Sequence, residues 1–181
     1  MDLNKLIVNE TARKIGLKTP DFYLVNRKDD IPNNKRLITK TINGNSLIYY
    51  SQKTVSQLFT KEISSVDAPD NFNTSYLQDY VTKKYELRVF YFKGDIWTTA
   101  IFSQTNSKTK IDFRNYDSKN PNRTVPYILP LDIKKKIDEL MKCLDLDTGS
   151  IDLIVNTDYE YFFLEVNPVG QFGMVSNPCN F

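Results

Sequence analysis

The succession of local patterns along this chain predicts an α+β fold with antiparallel sheets: a helical period near the N-terminus, strands in pairs, one amphipathic helix and a closing hairpin. Three observations carry that prediction. Residues 151–156 and 161–167 are rich in branched and aromatic side chains and flank a short polar link, the pattern of a β-hairpin. Residues 86–92 and 96–102 form a second such pair around Lys93-Gly94-Asp95. Residues 131–146 set Ile133, Ile137, Leu140, Met141 and Leu144 at helical spacing, with Lys134, Lys135 and Lys136 turned to solvent.

The remaining elements follow in order. Leu3, Leu6, Ile7, Ala12 and Ile15 recur near the helical period, Gly16 can end that helix, and Pro20 prevents its continuation. Residues 22–25 read as a strand and 26–35 as a polar loop. Residues 36–41 and 46–50 read as a hairpin around Asn43-Gly44-Asn45, carrying Lys40. Polar residues 64–73 read as a connection and 76–81 as a strand. The stretch 103–123 is long and polar, with a candidate strand at 111–114; a loop of such length is often functional.

A length of 181 residues, 40% of them hydrophobic, suits one compact domain or two small lobes. With 24 basic and 22 acidic residues, the net charge of +2 argues for neither a nucleic acid nor a membrane surface as partner. Histidine is absent, which excludes His-based triads, general bases and metal ligands. Cys143 and Cys179 form neither a disulfide framework nor a zinc site, and Cys143, in the amphipathic segment, is expected to be buried. Neither a signal peptide nor a membrane-length apolar run is visible, so a reducing cytoplasm is the expected location.

Chemistry concentrates in the last hairpin. A turn centred between Asp158 and Tyr159 sets Asp152 opposite Glu165, and strand alternation puts Asn167 on the same face as Glu165. The other face then carries Ile151, Leu153, Val155, Phe162, Leu164 and Val166. Adjacent carboxylates repel unless a cation joins them, and hard oxygen donors of this kind suit Mg²⁺. A wet acidic hairpin end is the competing reading, and a one-residue slip would dissolve the set. Lys40, before a Gly-containing turn, either reaches a phosphate or is a surface lysine. Gln78-Asp79-Tyr80-Val81 offers a backbone edge that can pair with adenine, or is only an edge strand. Arg88 shares a face with Glu86 and Phe90, so it pairs with Glu86 or faces an anion. Arg114 is a second guanidinium suited to phosphate oxygens, or a surface arginine.

Taken together, these segments resemble the C-terminal, catalytic part of an ATP-grasp ligase. Leu37-Ile38-Thr39-Lys40 resembles the family's first nucleotide-lysine strand, Leu77-Gln78-Asp79-Tyr80-Val81 its adenine hinge, and Glu86-Leu87-Arg88-Val89 the arginine strand that follows. Gly149-Ser150-Ile151-Asp152-Leu153-Ile154 and Leu164-Glu165-Val166-Asn167-Pro168 resemble its metal-binding hairpin. A finer resemblance is to the graspetide synthetases, the microviridin and grasp-with-spasm type of peptide maturase. It rests on Lys83-Lys84-Tyr85-Glu86-Leu87-Arg88-Val89, Ile111-Asp112-Phe113-Arg114 with Tyr116-Asp117, Val125-Pro126-Tyr127, and above all Asn167-Pro168-Val169-Gly170-Gln171-Phe172.

The resemblance implies an ATP-grasp fold of two α+β lobes enclosing the nucleotide, with residues 20–75 as the smaller lobe and 76–181 as the larger. It implies ATP and Mg²⁺ as cofactors, with Asp152, Glu165 and Asn167 on the metal, Arg88 and Arg114 catalytic, and Lys40, Gln78, Asp79, Tyr80, Val81 and Lys83 on the nucleotide. The implied reaction activates Asp or Glu side chains of a ribosomal precursor peptide as acyl phosphates, then forms ester or amide crosslinks within that peptide. The precursor peptide is the expected partner, and a homodimer is left open. Family members carry a further N-terminal domain and a closing C-terminal helix, so the chain reads as truncated at both ends. The alternatives are an ATP-grasp amino-acid ligase acting on a protein tail, and a non-catalytic nucleotide- or peptide-binding remnant.

Overall fold

The computed structural model describes residues 3–41, 47–49, 55–57, 60–104, 109, 111, 112, 115 and 117–180, apart from the side chains of 47–49, 55–57 and 67. The chain divides into two units, Pro20–Val81 and Met1–Thr19 with Thr82–Phe181. The smaller unit runs past residue 75 because the strand Asn71–Asp79 is interior to its sheet.

In the smaller unit, β1 (Phe22–Arg27), β2 (Leu37–Lys40), β5 (Lys61–Ile63) and β6 (Asn71–Asp79) form an antiparallel sheet in the order β1-β6-β2-β5. Val25, Ile31, Leu37, Ala68 and Leu77 make its core. The expected hairpin of 36–41 with 46–50 does not form. Strand β2 pairs with β5 and β6, while β3 (Leu47–Tyr49) pairs with β4 (Val55–Gln57) in a separate ribbon. Side-chain alternation marks a strand but not its partner, and here distant strands satisfy the β2 backbone. The turn at 43–45 lies outside the described residues.

The larger unit is built on one antiparallel sheet in the order β11-β10-β7-β8-β9, from β7 (Lys83–Phe92), β8 (Asp95–Phe102), β9 (Arg123–Pro126), β10 (Thr148–Asn156) and β11 (Tyr161–Asn167). Helices α1 (Lys5–Lys14) and α2 (Leu131–Cys143) cover one face. Their Val8, Ala12, Ile133, Ile137, Leu140 and Met141 pack with Leu87, Val89, Ile151, Leu153 and Phe163 of the sheet. Alternation therefore turns Glu86, Arg88 and Phe90 of β7 to the opposite face.

Helix α1 starts where Asn4 Oδ1 accepts the Leu6 N–H at 2.9 Å, and it stops before Gly16 at φ +86°. Its buried side is Val8 and Ala12, whereas Ile7, placed on the apolar face by sequence, is 63% exposed. Cys143 is exposed, not buried: it ends α2 beside Lys142, beyond the turn that buries Leu140 and Met141. A short helix, α3 (Gly173–Cys179), packs against β8 and β9; no helix was expected there. Residues 111 and 112 are turn and coil rather than strand.

The β10–β11 pairing holds the expected Asp152 opposite Glu165, but with a bulge just beyond it. Leu153 faces Phe163 and Ile154 faces Phe162, so Leu164 is the extra residue. The buried member of β11 at this level is Phe163, fully buried, instead of the expected Phe162 and Leu164. Accordingly, Phe163→Ala should cost about 3–5 kcal/mol in urea unfolding. The same change at half-buried Phe162 should cost clearly less; equal losses would contradict the bulge.

Candidate functional site

The sheet face away from α1 and α2 carries a polar row. Register places Glu165 beside Asp152, Asp152 beside Arg88, and Arg88 beside Thr99 across four strands. Arg88 Nη1 donates to Asp152 Oδ1 at 2.7 Å, with both side chains less than a tenth exposed. Arg88 Nε is buried and has no hydrogen-bond partner among the described residues. At the sheet edge, Lys5 Nζ of α1 lies 3.0 Å from Glu165 Oε2. Lys5 carried no functional signal in the sequence: a lysine near a chain end is ordinary, and its partner is a whole chain away.

The next row holds Asn167, Ser150, Phe90 and Trp97. Asn167 Oδ1 accepts the Val169 N–H at 3.1 Å, and Ser150 Oγ donates to Gln171 O at 3.2 Å. The Phe90 ring lies 6.0 Å from Trp97 and 6.0 Å from Phe172. Gly170 has φ +63°, and a Cβ there would come within 3.1 Å of Thr148 Oγ1 and 3.3 Å of Phe90. The strand end after Asn167 thus folds tightly against the row, in a backbone conformation and at a closeness that favour glycine.

Glu86 is not the partner of Arg88. Its Oε1 takes the Lys83 ammonium at 2.6 Å and its Oε2 takes the Ser103 hydroxyl at 2.6 Å. Burial pushes the Glu86 carboxyl above the usual carboxylate range, and Lys83 and Ser103 oppose that rise. Lys83 Nζ also donates to Ile111 O at 3.1 Å, while Thr109 Oγ1 lies 3.1 Å from Ser103 O and 2.9 Å from Asn122 Oδ1. These bonds tie the long 103–123 stretch to β7. Arg114, expected to be catalytic, lies outside the described residues, as do Phe113 and Tyr116.

In the smaller unit, Lys40 ends β2 with its ammonium 5.8 Å from the Tyr76 ring centre. Gln78 and Asp79 belong to the interior strand β6, flanked by β1 and β2, and not to an edge strand. Gln78 Oε1 and Asp79 Oδ1 are buried without partners among the described residues, while Asp79 Oδ2 pairs with Lys35 at 3.0 Å. Tyr80 and Val81 lie past the sheet register; the Tyr80 N–H donates to Arg36 O at 2.9 Å, and the Arg36 guanidinium sits 4.0 Å over the Tyr80 ring.

The donor set of Asp152, Glu165 and Asn167 fits a small hard cation: all three offer oxygens, and adjacent strands present them on one face. The described residues contain no cluster of three His, Cys, Asp or Glu side chains, so the set is two carboxylates and an amide. Each carboxylate already meets one protein cation, as neighbouring like charges require. Because the Arg88–Asp152 pair is buried, Asp152→Ala should cost about 3–5 kcal/mol by stranding the guanidinium. Adding Arg88→Met should recover most of that loss. A double-mutant cycle in denaturant checks both, and additive losses would contradict the pairing.

No family model and no curated protein matches the chain. Among solved structures it is similar to a Chryseobacterium gregarium RiPP-associated ATP-grasp ligase in complex with ADP and a leader and core peptide, at 28% identity and TM-score 0.80, over 93% of this chain and 52% of that one. It is also similar to the macrocyclase MdnC bound with precursor peptide MdnA from Microcystis aeruginosa MRC, at 29% identity and TM-score 0.77, over 98% of this chain and 57% of that one. The ATP-grasp ligase PsnB, complexed with a minimal precursor variant, Mg and ADP, matches at 17% identity and TM-score 0.74, over 98% and 53% of the two chains, and bears on the fold alone. The chain spans about half the length of these proteins. It has the ATP-grasp ligase fold and resembles the RiPP-associated peptide maturases built on it.

Proposed function

We propose that the chain is the catalytic part of an ATP-dependent carboxylate ligase that crosslinks a ribosomal precursor peptide through its Asp or Glu side chains. One observation carries the reading: the row of Glu165, Asp152 and Arg88 sets two metal-type carboxylates beside a buried guanidinium whose Nε–H has no partner among the described residues. The peptide complexes of the Chryseobacterium and Microcystis proteins support a peptide as substrate.

In this reaction a peptide carboxylate oxygen attacks the γ-phosphorus of ATP, and the bond to ADP breaks. A Ser or Thr hydroxyl, or a Lys amine, of the same peptide then attacks the acyl carbon. Phosphate leaves and the nucleophile loses its proton. Both partners of the first step are anionic, so catalysis rests on positioning and charge. Asp152, Glu165 and Asn167 would hold Mg²⁺, which supplies charge neutralisation at the phosphate oxygens when bound. Arg88, held by Asp152 through Nη1, presents Nε to the transferring group. Arg114 is assigned as the second guanidinium on the acyl phosphate and Lys40 as a compact cation on the nucleotide phosphates.

Gln78, Asp79, Tyr80 and Val81 are assigned to adenine, with Val81 and the Tyr80 carbonyl beyond the sheet register and so best placed to offer backbone groups, since the Tyr80 N–H serves Arg36. Lys83 joins them only through a remaining N–H, since it already serves Glu86 and Ile111. No described helix is long and apolar enough to cross a membrane, and dependence on ATP agrees with a cytoplasmic site of action.

Two results test the reading. Calorimetric titration of a non-hydrolysable ATP analogue should show Mg²⁺-dependent binding that Glu165→Ala abolishes; binding unaffected by the substitution would remove the metal assignment. With a precursor peptide and ATP, one water should be lost per bond formed and ADP released. Arg114→Ala should slow that release by at least about tenfold, with a smaller loss in nucleotide affinity. A mass gain on an amino-acid acceptor would favour a tail-modifying ligase instead.

A further inference from the structure

Lys5 stands out against the local rules of its helix. It occupies the first turn of α1, where the helix dipole disfavours a cation, and that turn contains no acidic residue. Yet its side chain is only 14% exposed and meets Glu165, itself 19% exposed, at 3.0 Å. Several features hold it there. Asn4 caps the helix start, Asn9 Nδ2 bonds the Lys5 carbonyl at 2.9 Å, and Val8 and Ala12 seat α1 in the core. The ammonium is therefore delivered by a packed element rather than by a freely swinging surface chain.

Its position changes the charge balance of the row. Glu165 and Asp152 contribute two negative charges, and Lys5 and Arg88 return two positive ones at hydrogen-bond distance. Among these four described side chains, a bare divalent cation approaching the carboxylates meets no net negative charge and must face an ammonium on Glu165 itself. At separations of a few ångströms and partial burial, such like-charge repulsion is only weakly screened by solvent. A cation that arrives with polyphosphate brings a net negative charge, and the same two protein cations then attract it.

We propose that Lys5 is the built-in counter-ion of Glu165: a positioning residue that holds this carboxylate ordered and charge-balanced without metal, and makes metal binding conditional on nucleotide phosphate. The inference rests on the metal reading of Asp152, Glu165 and Asn167 and adds to it a residue and an order of loading. Lys5 touches neither substrate nor reacting atoms; it acts through Glu165.

The test uses Mn²⁺ as a spectroscopic probe, counted by its electron paramagnetic resonance signal, on the full chain with and without ADP. The unsubstituted chain should take up Mn²⁺ only when ADP is present. Lys5→Met should bind Mn²⁺ without ADP at least about tenfold more tightly than the unsubstituted chain. Its melting temperature without metal should fall and should recover when Mn²⁺ is added. Lys5→Arg, which keeps the charge, should behave as the unsubstituted chain and serves if Lys5→Met does not fold. Overturning results are nucleotide-free Mn²⁺ uptake by the unsubstituted chain or by Lys5→Arg, and an Mn²⁺ affinity unchanged or weakened in Lys5→Met. If ADP-dependent Mn²⁺ binding persists alongside such a result, only the counter-ion role fails. If no form binds Mn²⁺ even with ADP, the metal site itself fails and the proposal falls with it.

Discussion

The larger unit is organised around one buried ion pair, Arg88 with Asp152, made across the central strands β7 and β10. A guanidinium and a carboxylate in so dry a place are stable only together, so the register of these two strands and the identity of the two residues depend on each other. Because β7 and β10 are also the strands whose other faces carry Leu87, Val89, Ile151 and Leu153, a slip that separated the charges would also turn the apolar set away from the helices. The polar row is thus aligned by the same pairing that builds the core.

Around that pair the sheet grades from structural to exposed. Thr99 on β8 is fully buried, Arg88 and Asp152 nearly so, and Glu165 on the edge strand β11 is partly open. Such a gradient sets a low dielectric, which strengthens the electrostatics, beside a side open to water. Glu86, one alternation step away, does different work. Its two oxygens gather Lys83 and Ser103, and through Lys83 the carbonyl of Ile111, so a buried carboxylate anchors the stretch that leads to Arg114. The three carboxylates of this face, Asp152, Glu165 and Glu86, are thus each met by a cation of their own: Arg88, Lys5 and Lys83.

The bulge at Leu164 shows how closely the two demands are reconciled. Without it, continued alternation would set Phe162 rather than Phe163 toward the core while Glu165 kept its place. One inserted residue lets Phe163 and Val166 both point inward and still leaves Glu165 opposite Asp152. Lys5, carried in by α1, then compensates the edge carboxylate, and the glycine at 170 lets the chain turn back over Phe90.

The α+β class, helices α1 and α2, the hairpin of β7 with β8, the final hairpin and the facing of Asp152 and Glu165 were legible in the sequence, because hydrophobic period and hairpin turns act over a few residues; β4, β5, β9 and α3, short and without such a period, were not. The sequence also marked Arg88 as an arginine that needed a partner, since its strand neighbours are apolar. Sheet order settles who that partner is: Asp152 lies 64 residues on, while the nearer Glu86 goes to Lys83 and Ser103. The same holds for β2, which pairs with distant β5 and β6 instead of the nearby 46–50, for Gln78 and Asp79, interior rather than at an edge, and for Lys5 on Glu165. Strand alternation and charge state what each residue requires. Which of several distant groups satisfies the requirement is settled by sheet order and helix docking, and these depend on the whole chain closing at once.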